Sequence, residues 1–261
     1  MKSIAEYLRN LIKGVFSARR FIRLTPNQKG KIFFFDKHRM RVFDVHSRGF
    51  TDSGTSNQIY SNEDYSLRSL VRGGEMYGVY NQIVDSGGTP LIIDCGGNIG
   101  LASRYFAEEF PKALVICVEP NKGNILAAKK NCEELNNVVV KEAAIGASCG
   151  FVDITNAEAD PNFYRVAVTE SPSLTPMVNV QELLRENDKC SLFMIKIDIE
   201  GFEENLFSEN VEWIDEAPLL IIELHDWMLP KEANSSNFLN AISKRNRDFV
   251  YVGENVFSIR N

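Results

Sequence analysis

Two short runs hold the residues best suited to chemistry. The first is Asp94-Cys-Gly-Gly-Asn-Ile-Gly100, where Gly96, Gly97 and Gly100 surround Asn98 behind an acidic residue. Glycines let a backbone turn sharply and approach a ligand where a Cβ would collide. The second is Lys196-Ile-Asp-Ile-Glu200, followed downstream by Glu223-Leu-His225. Asp198, Glu200 or His225 can accept a proton from a substrate, with Lys196 or Glu223 orienting the set. For a hydroxyl nucleophile such a base contributes on the order of 10²–10⁴-fold. The same carboxylates could instead hold a hard divalent cation that activates the hydroxyl. A purely structural alternative makes Lys196 and Glu223 a buried ion pair between adjacent strands.

These runs need a scaffold, and the apolar pattern supplies one. Strands are predicted at Leu91–Cys95, Leu114–Val118, Val138–Ile145, Leu192–Asp198 and Leu219–Leu224. Helices at Ile99–Phe110, Asn121–Leu135, Val180–Glu186, Glu203–Phe207 and Asn237–Lys244 alternate with them. A hairpin is expected at Gly150–Ile154. Phe249–Val252 and Val256–Ile259 form a closing antiparallel hairpin about Gly253–Asn255. The alternation implies a Rossmann-like α/β fold: a seven-stranded, mostly parallel sheet with one antiparallel strand and helices on both faces. Residues 1–90 then form an N-terminal extension and 91–261 the main domain. Within the extension, Lys31–Phe35 and Met40–Val45 read as strands. Glu63–Val84 reads as a helix broken at Gly73–Gly74, and the polar stretch Ser47–Ser61 as a mobile segment.

The glycine turn sits between an apolar strand and an amphipathic helix, the position where open α/β sheets bind ligands. A nicotinamide or flavin fold would want G-x-G-x-x-G. Counting from Gly96, its second and third glycines fall on Asn98 and Leu101, so that fingerprint fails. Asp94 just ahead of the turn disfavours a pyrophosphate and suits a cofactor with a cationic sulfonium and an amino group. Glu119, after the second strand, is placed to accept hydrogen bonds from both hydroxyls of an adenosine ribose.

At these residues the chain resembles the FkbM family of class I S-adenosylmethionine-dependent methyltransferases. The resemblance rests on Ile93-Asp-Cys-Gly-Gly-Asn-Ile-Gly100, Val118-Glu-Pro120, Ala144-Ile-Gly146, Ile195-Lys-Ile-Asp-Ile-Glu-Gly-Phe-Glu203 and Ile222-Glu-Leu-His225. It covers roughly Leu91 to Asn261. It implies S-adenosyl-L-methionine bound by Asp94, Gly96, Gly97, Asn98, Gly100, Glu119, Pro120, Ala144 and Asp198. It also implies O-methylation of a hydroxyl on a sugar, polysaccharide or related natural product. Gly97 stands where the family usually has alanine, and Gln181 where it usually has an aspartate. Asp160-Pro-Asn-Phe163 faintly resembles the (Asp/Asn)-Pro-Pro-(Tyr/Phe) motif of amino-methylating nucleic-acid enzymes. That motif belongs at the end of the fourth strand, so the segment reads as a turn.

Composition narrows the setting. Five scattered cysteines and three histidines, with no C-x-x-C, argue against a disulfide framework or zinc site and for a reducing, cytoplasmic location. No apolar run reaches membrane-spanning length, and no secretory signal is expected. Residues 1–50 carry 12 Lys/Arg against 3 Asp/Glu, whereas the remainder carries 17 against 32. The acidic body disfavours nucleic acid. The basic amphipathic segment Ser3–Arg20 suits either packing on the protein or a homo-oligomer partner, or weak contact with an anionic membrane surface. Tyr60, Tyr65, Tyr77, Tyr80, Phe163 and Tyr164 are candidates to stack on a sugar face. Two rival functions are a nucleotide-sugar or dinucleotide oxidoreductase and a non-catalytic cofactor-binding module.

Overall fold

A strand buried on both faces must be apolar along its whole length, and Thr89–Cys95 (β4) is buried from Pro90 onward. The computed structural model describes residues 12, 14–26, 29–154, 166–171 and 174–261. The segment Ser3–Arg20 lies largely outside them, as do Asp160–Phe163 and Tyr164. Among the described residues, no helix is long and apolar enough to cross a membrane. The chain divides into two compact units, Met1–Tyr65 and Ser66–Asn261.

In the first unit, β1 (Phe21–Arg23), β2 (Gly30–Asp36) and β3 (Arg41–Ser47) form an antiparallel sheet. Phe21, Phe34, Phe43 and Tyr60 pack together with ring centroids 5.0–5.8 Å apart. The stretch expected to be mobile is instead regular, with a helix over Phe50–Ser56 (α1) running into a π-helical turn over Asn57–Asn62. Its polar residues satisfy one another locally. Asp52 accepts from the Arg48 backbone at 2.6 Å, and the Arg23 guanidinium donates to Ser53 O and Oγ.

The second unit is built on a seven-stranded sheet of order β13-β14-β12-β11-β4-β5-β6. Its strands are β4, β5 (Leu114–Glu119), β6 (Val138–Glu142), β11 (Cys190–Ile197), β12 (Leu219–Glu223), β13 (Arg247–Val252) and β14 (Asn255–Arg260). Only β14 runs against its neighbours, pairing Leu219 with Ile259. The expected architecture is therefore present. Helices α2 (Gly73–Asp85), α3 (Leu101–Glu109), α4 (Lys122–Asn131), α5 (Val180–Glu186), α6 (Glu203–Leu206), α7 (Trp213–Glu216) and α8 (Ser236–Ile242) flank it. Asn121 and Asn179 cap α4 and α5, each side-chain oxygen accepting a backbone N–H. Strand order reverses at β4: β5 and β6 continue to one side, β11 and β12 to the other. The crevice beyond the ends of β4 and β11 is thus the topological switch point.

Local boundaries differ from the expected ones. Over Glu63–Val84 the break falls just ahead of the glycine pair: a 3₁₀ turn at Leu67–Ser69 precedes α2, which starts at Gly73. Val138–Ile145 splits at Ala143, whose N–H donates to Glu119 O at 3.2 Å as the chain leaves the sheet. Ala144–Ile145 (β7) then joins a second sheet of order β7-β10-β8-β9. Gly150–Ile154 (β8) belongs to that sheet, with Val166–Thr169 (β9) and Thr175–Val178 (β10). Its strands are short and rest on a small core of Ala144, Val152 and Met177, so their alternation is weak in the sequence.

The turn after β4 fits its neighbours closely. Gly96 has φ +76°, and a Cβ there would lie 1.8 Å from the Asp198 carbonyl oxygen. A Cβ on Gly97 would lie 2.2 Å from Cys117 Sγ. Glycine at position 97 thus makes room for the thiol beneath it. Gly97→Ala is expected to destabilise the fold by about 1–3 kcal/mol through overpacking. Adding Cys117→Ala should restore most of the loss. Urea denaturation of the single and double variants checks this; additive losses would contradict it.

Candidate active site

Beyond the switch point lies a cleft of about 550 Å³, its open mouth included. That is an ordinary size for a small-molecule site. Six of the residues expected to bind a cofactor line it: Gly96, Asn98, Glu119, Pro120, Ala144 and Asp198. Ile199, Glu200, Phe202, Asn124, Val118, Ile145 and Val166 complete the wall. Ile199 and Phe202 lie in the same motif as Asp198, which was the available signal for them. Val166 comes from the second sheet and had none.

Three of the residues expected to bind a cofactor do not line the cleft. Asp94 is fully buried and does not line the cleft. Its carboxylate accepts Ser103 Oγ–H at 2.6 Å and faces Lys196 Nζ at 3.1 Å. It sits one residue back from the strand end, opposite Lys196 in the β4–β11 register, so its charge is absorbed inside the protein. Gly97 packs on Cys117 and Gly100 (φ +78°) packs against Ala128. Both shape the turn without reaching the cleft wall.

Glu119 is held by three donors. Asn98 N–H reaches one carboxylate oxygen at 2.9 Å, while Asn121 N–H and the Asn124 amide reach the other at 2.9 and 3.1 Å. Burial pushes its pKa up, and these hydrogen bonds oppose that rise. Asn98 itself has φ +48°, and its buried Oδ1 has no hydrogen-bond partner. The cleft wall carries three carboxylates, Glu119, Asp198 and Glu200, and no Lys or Arg among its described residues.

At the Asp198 end the cleft adjoins a cluster built from two neighbouring strands. Lys196 is nearly fully buried, donates to Gly96 O at 2.9 Å, and lies 3.4 Å from Asp198. It pairs with Asp94 on the adjacent strand β4 at 3.1 Å. Beyond the strand end Glu200 adopts φ +54°, a conformation uncommon for a non-glycine residue and often found at functional sites. His225, 1% exposed, donates or accepts through Nδ1 with Glu203 Oε1 at 2.8 Å. Its Nε2 faces Asp198 Oδ1 and Glu200 Oε2 at 3.6 Å each, and Glu223 Oε1 at 3.7 Å. The three candidate proton acceptors, Asp198, Glu200 and His225, are therefore together, with Glu223 beside them. Glu203, at the end of the quoted motif, had been given no role.

Burial disfavours a charged His225, but the Glu203 hydrogen bond and the charges of Glu203, Asp198 and Glu200 outweigh it and raise its pKa to about 9. Burial, then the Asp198 charge, lifts Glu200 to about 8 and Glu223 to about 7. The cluster thus retains protons that exposed carboxylates would have lost by neutral pH.

The donor set also fits a divalent cation. Asp198, Glu200 and His225 each offer one atom, all within 4.8 Å of one another. Separations of 3.6 Å are too long for hydrogen bonds. Two atoms each about 2.1–2.2 Å from one ion lie roughly 3.0–3.6 Å apart at ordinary coordination angles. Asp198 Oδ1 and Glu200 Oε2, the two atoms facing Nε2, are buried without hydrogen-bond partners. When Nδ1–H is given to Glu203, the neutral ring points its lone pair at them, the arrangement found at metal-ligating histidines.

Without added metal, the protonated His225–Glu203 pair stabilises the fold. A raised folded pKa contributes in full below the unfolded value and is lost as pH rises through about 9. Glu203→Gln should lower the pKa of His225, read by NMR titration of its ring. It should cost about 1.5–3 kcal/mol at pH 6 and progressively less towards pH 9.5. A pH-independent loss would contradict this account.

Comparison with known proteins gives the family. The Methyltransferase FkbM domain model matches residues 94–251, more than half of the chain. The hexuronic acid methyltransferase AglP of Haloferax volcanii is 22% identical over 167 residues, covering 62% of this chain and 69% of that one. An O-methyltransferase candidate from Klebsiella pneumoniae superposes with a TM-score of 0.42 at 11% identity, covering 78% and 89% of the two chains. A methyltransferase from Geobacter sulfurreducens gives 0.39 at 14% identity, covering 71% and 78%. On the family match, which spans the glycine turn, the acid motif and the strand bearing His225, this protein belongs to the FkbM methyltransferase family.

Proposed function

We propose that the protein is an S-adenosylmethionine-dependent O-methyltransferase acting on a hydroxyl of a sugar, polysaccharide or related natural product. The observation that carries this reading is a switch-point cleft walled, among the described residues, by three carboxylates and no Lys or Arg, opening onto a proton-holding cluster. Such a wall repels a pyrophosphate and suits a sulfonium, which weighs against a dinucleotide oxidoreductase. The sugar class draws on the hexuronic acid activity of the Haloferax relative. Residues 91–261 would form the catalytic domain and 1–90 an extension. The five free cysteines, three of them buried, accord with a reducing, cytoplasmic setting.

When bound, the donor supplies an electrophilic methyl on a cationic sulfur. Glu119 would hold the ribose hydroxyls, with Asn98, Pro120 and Ala144 along the adenosyl path and Asp198 beside the sulfonium. The hydroxyl proton would pass to Glu200, whose raised pKa matches a base working near neutrality. Glu223 would border the same cluster beside His225, and Lys196 would fix Asp198. His225 is itself protonated at neutral pH in the cation-free cluster, which makes it the poorer base.

The orphaned oxygens and the 3.6 Å spacings favour a second reading, in which Asp198, Glu200 and His225 hold a divalent cation. The ion would supply Lewis acidity towards the hydroxyl, with Glu203 orienting His225.

S-adenosylmethionine and its demethylated product should raise the melting temperature and NAD should not; the reverse would overturn the assignment. Glu200→Gln should lower turnover by about 10²–10⁴-fold with donor affinity unchanged. In metal-free protein, turnover should rise with pH as Glu200 deprotonates around 8. Under the second reading a chelator abolishes turnover but not donor binding, and added Mn²⁺ or Mg²⁺ moves that rise to lower pH. Unchanged turnover in Glu200→Gln, with no chelator effect, would remove both roles.

A further inference from the structure

We propose that Trp227 is the platform on which the acceptor stacks, and that the acceptor's reacting unit is a pyranose ring. This rests on the methyltransferase reading of the same site. Of the two tryptophans in the chain, Trp213 is buried at 1% exposure and Trp227 is 63% exposed. The Trp227 ring centroid lies 6.4 Å from that of His225, the rings inclined at 38°. The exposed indole therefore borders the proton-holding cluster directly.

The turn that presents it is fixed on both sides. Met228 and Leu229 N–H groups return to His225 O at 3.0 and 3.1 Å. Asp226 accepts the Ser235 N–H at 3.3 Å. Leu229 is buried over Gly201, where a Cβ would meet its Cδ1 at 2.5 Å. Asn234, also buried, donates to Gly201 O at 2.6 Å. Trp227 thus stands out from an anchored turn, and its exposure is set by neighbours that are themselves locked.

Four of the aromatics that the sequence offered for stacking are already engaged within the protein. Tyr60, Tyr65 and Tyr80 are buried, and Tyr77 is hydrogen-bonded to Glu109. Phe163 and Tyr164 lie outside the described residues.

The neighbouring polar atoms specify the ligand's other edge. The Asp198 and Glu200 side chains are partly exposed, at 25% and 20%, and Glu223, at 16%, stands beside them. The indole neighbours these carboxylates through the His225 ring, and an apolar face so placed matches a pyranose, whose C–H face covers the indole while its hydroxyls donate towards the carboxylates. A phenol could stack equally well but brings fewer donors.

The test uses the full chain saturated with S-adenosylhomocysteine, whose affinity is measured by calorimetry on the same samples. Acrylamide reaches Trp227 and not Trp213, so quenchable fluorescence reports on Trp227; Trp227→Phe removes it as the control. The probes are the methyl pyranosides of glucose, galactose, mannose and glucuronic acid, with sorbitol and catechol as comparators. At least one pyranoside should lower the quenching constant, and sorbitol should not. Trp227→Ala should weaken that pyranoside roughly tenfold by saturation-transfer NMR, Trp227→Phe should retain most of the affinity, and both should bind S-adenosylhomocysteine as the parent does. The proposal is overturned if no pyranoside protects, if only catechol does, or if Trp227→Ala leaves pyranoside affinity unchanged. Absence of S-adenosylhomocysteine binding instead overturns the methyltransferase reading beneath it.

Discussion

The seam between β4 and β11 is the constraint on which the rest depends. Asp198 N–H donates to Cys95 O at 3.1 Å, and the Gly96 α-carbon lies where a Cβ would collide with Asp198 O. Lys196 closes the seam from below, bridging Asp94, Asp198 and the Gly96 carbonyl. Because the two strand ends meet flush, the glycine turn and the acid motif become walls of one cleft. Any side chain at position 96 would force them apart. A buried Lys–Asp pair offers little net stability against apolar residues of similar size. Its value here is positional, since it fixes the Asp198 end of the site.

The cluster around His225 works against the stability of its own fold. Asp198, Glu200, Glu203 and Glu223 converge on one imidazole. Burial and mutual repulsion make full ionisation costly, which is why Glu200 and Glu223 hold protons towards neutral pH. Such an arrangement is tolerable when an incoming proton, cation or hydroxyl donor relieves it. The positive φ of Glu200 belongs with the same pattern of local cost at a working site.

Much of this was legible in the sequence, for identifiable reasons. β4, β11 and β12 are continuous apolar runs because both faces are covered, and the alternating helices fixed their parallel order. The residues at strand ends, Glu119, Asp198 and His225, were found because end-of-strand polarity stands out against such runs. The type of Asp94 indicates a charge near the turn, whereas its meeting with Lys196 inside the protein is a tertiary property. The second sheet was missed because its strands are short and half exposed. Trp227 escaped notice because exposure of an aromatic is a tertiary property. A tryptophan four residues past the end of β12 reads as core until the turn around it is seen.

The most direct test is a crystal structure of the protein with S-adenosylhomocysteine bound. The ribose hydroxyls should meet Glu119 beside Asn98, and the sulfur should point along the cleft towards Asp198 and the His225 cluster. A product molecule seated elsewhere, or lying with its sulfur away from Asp198, would contradict a cleft in which the glycine turn and the acid motif act on one donor.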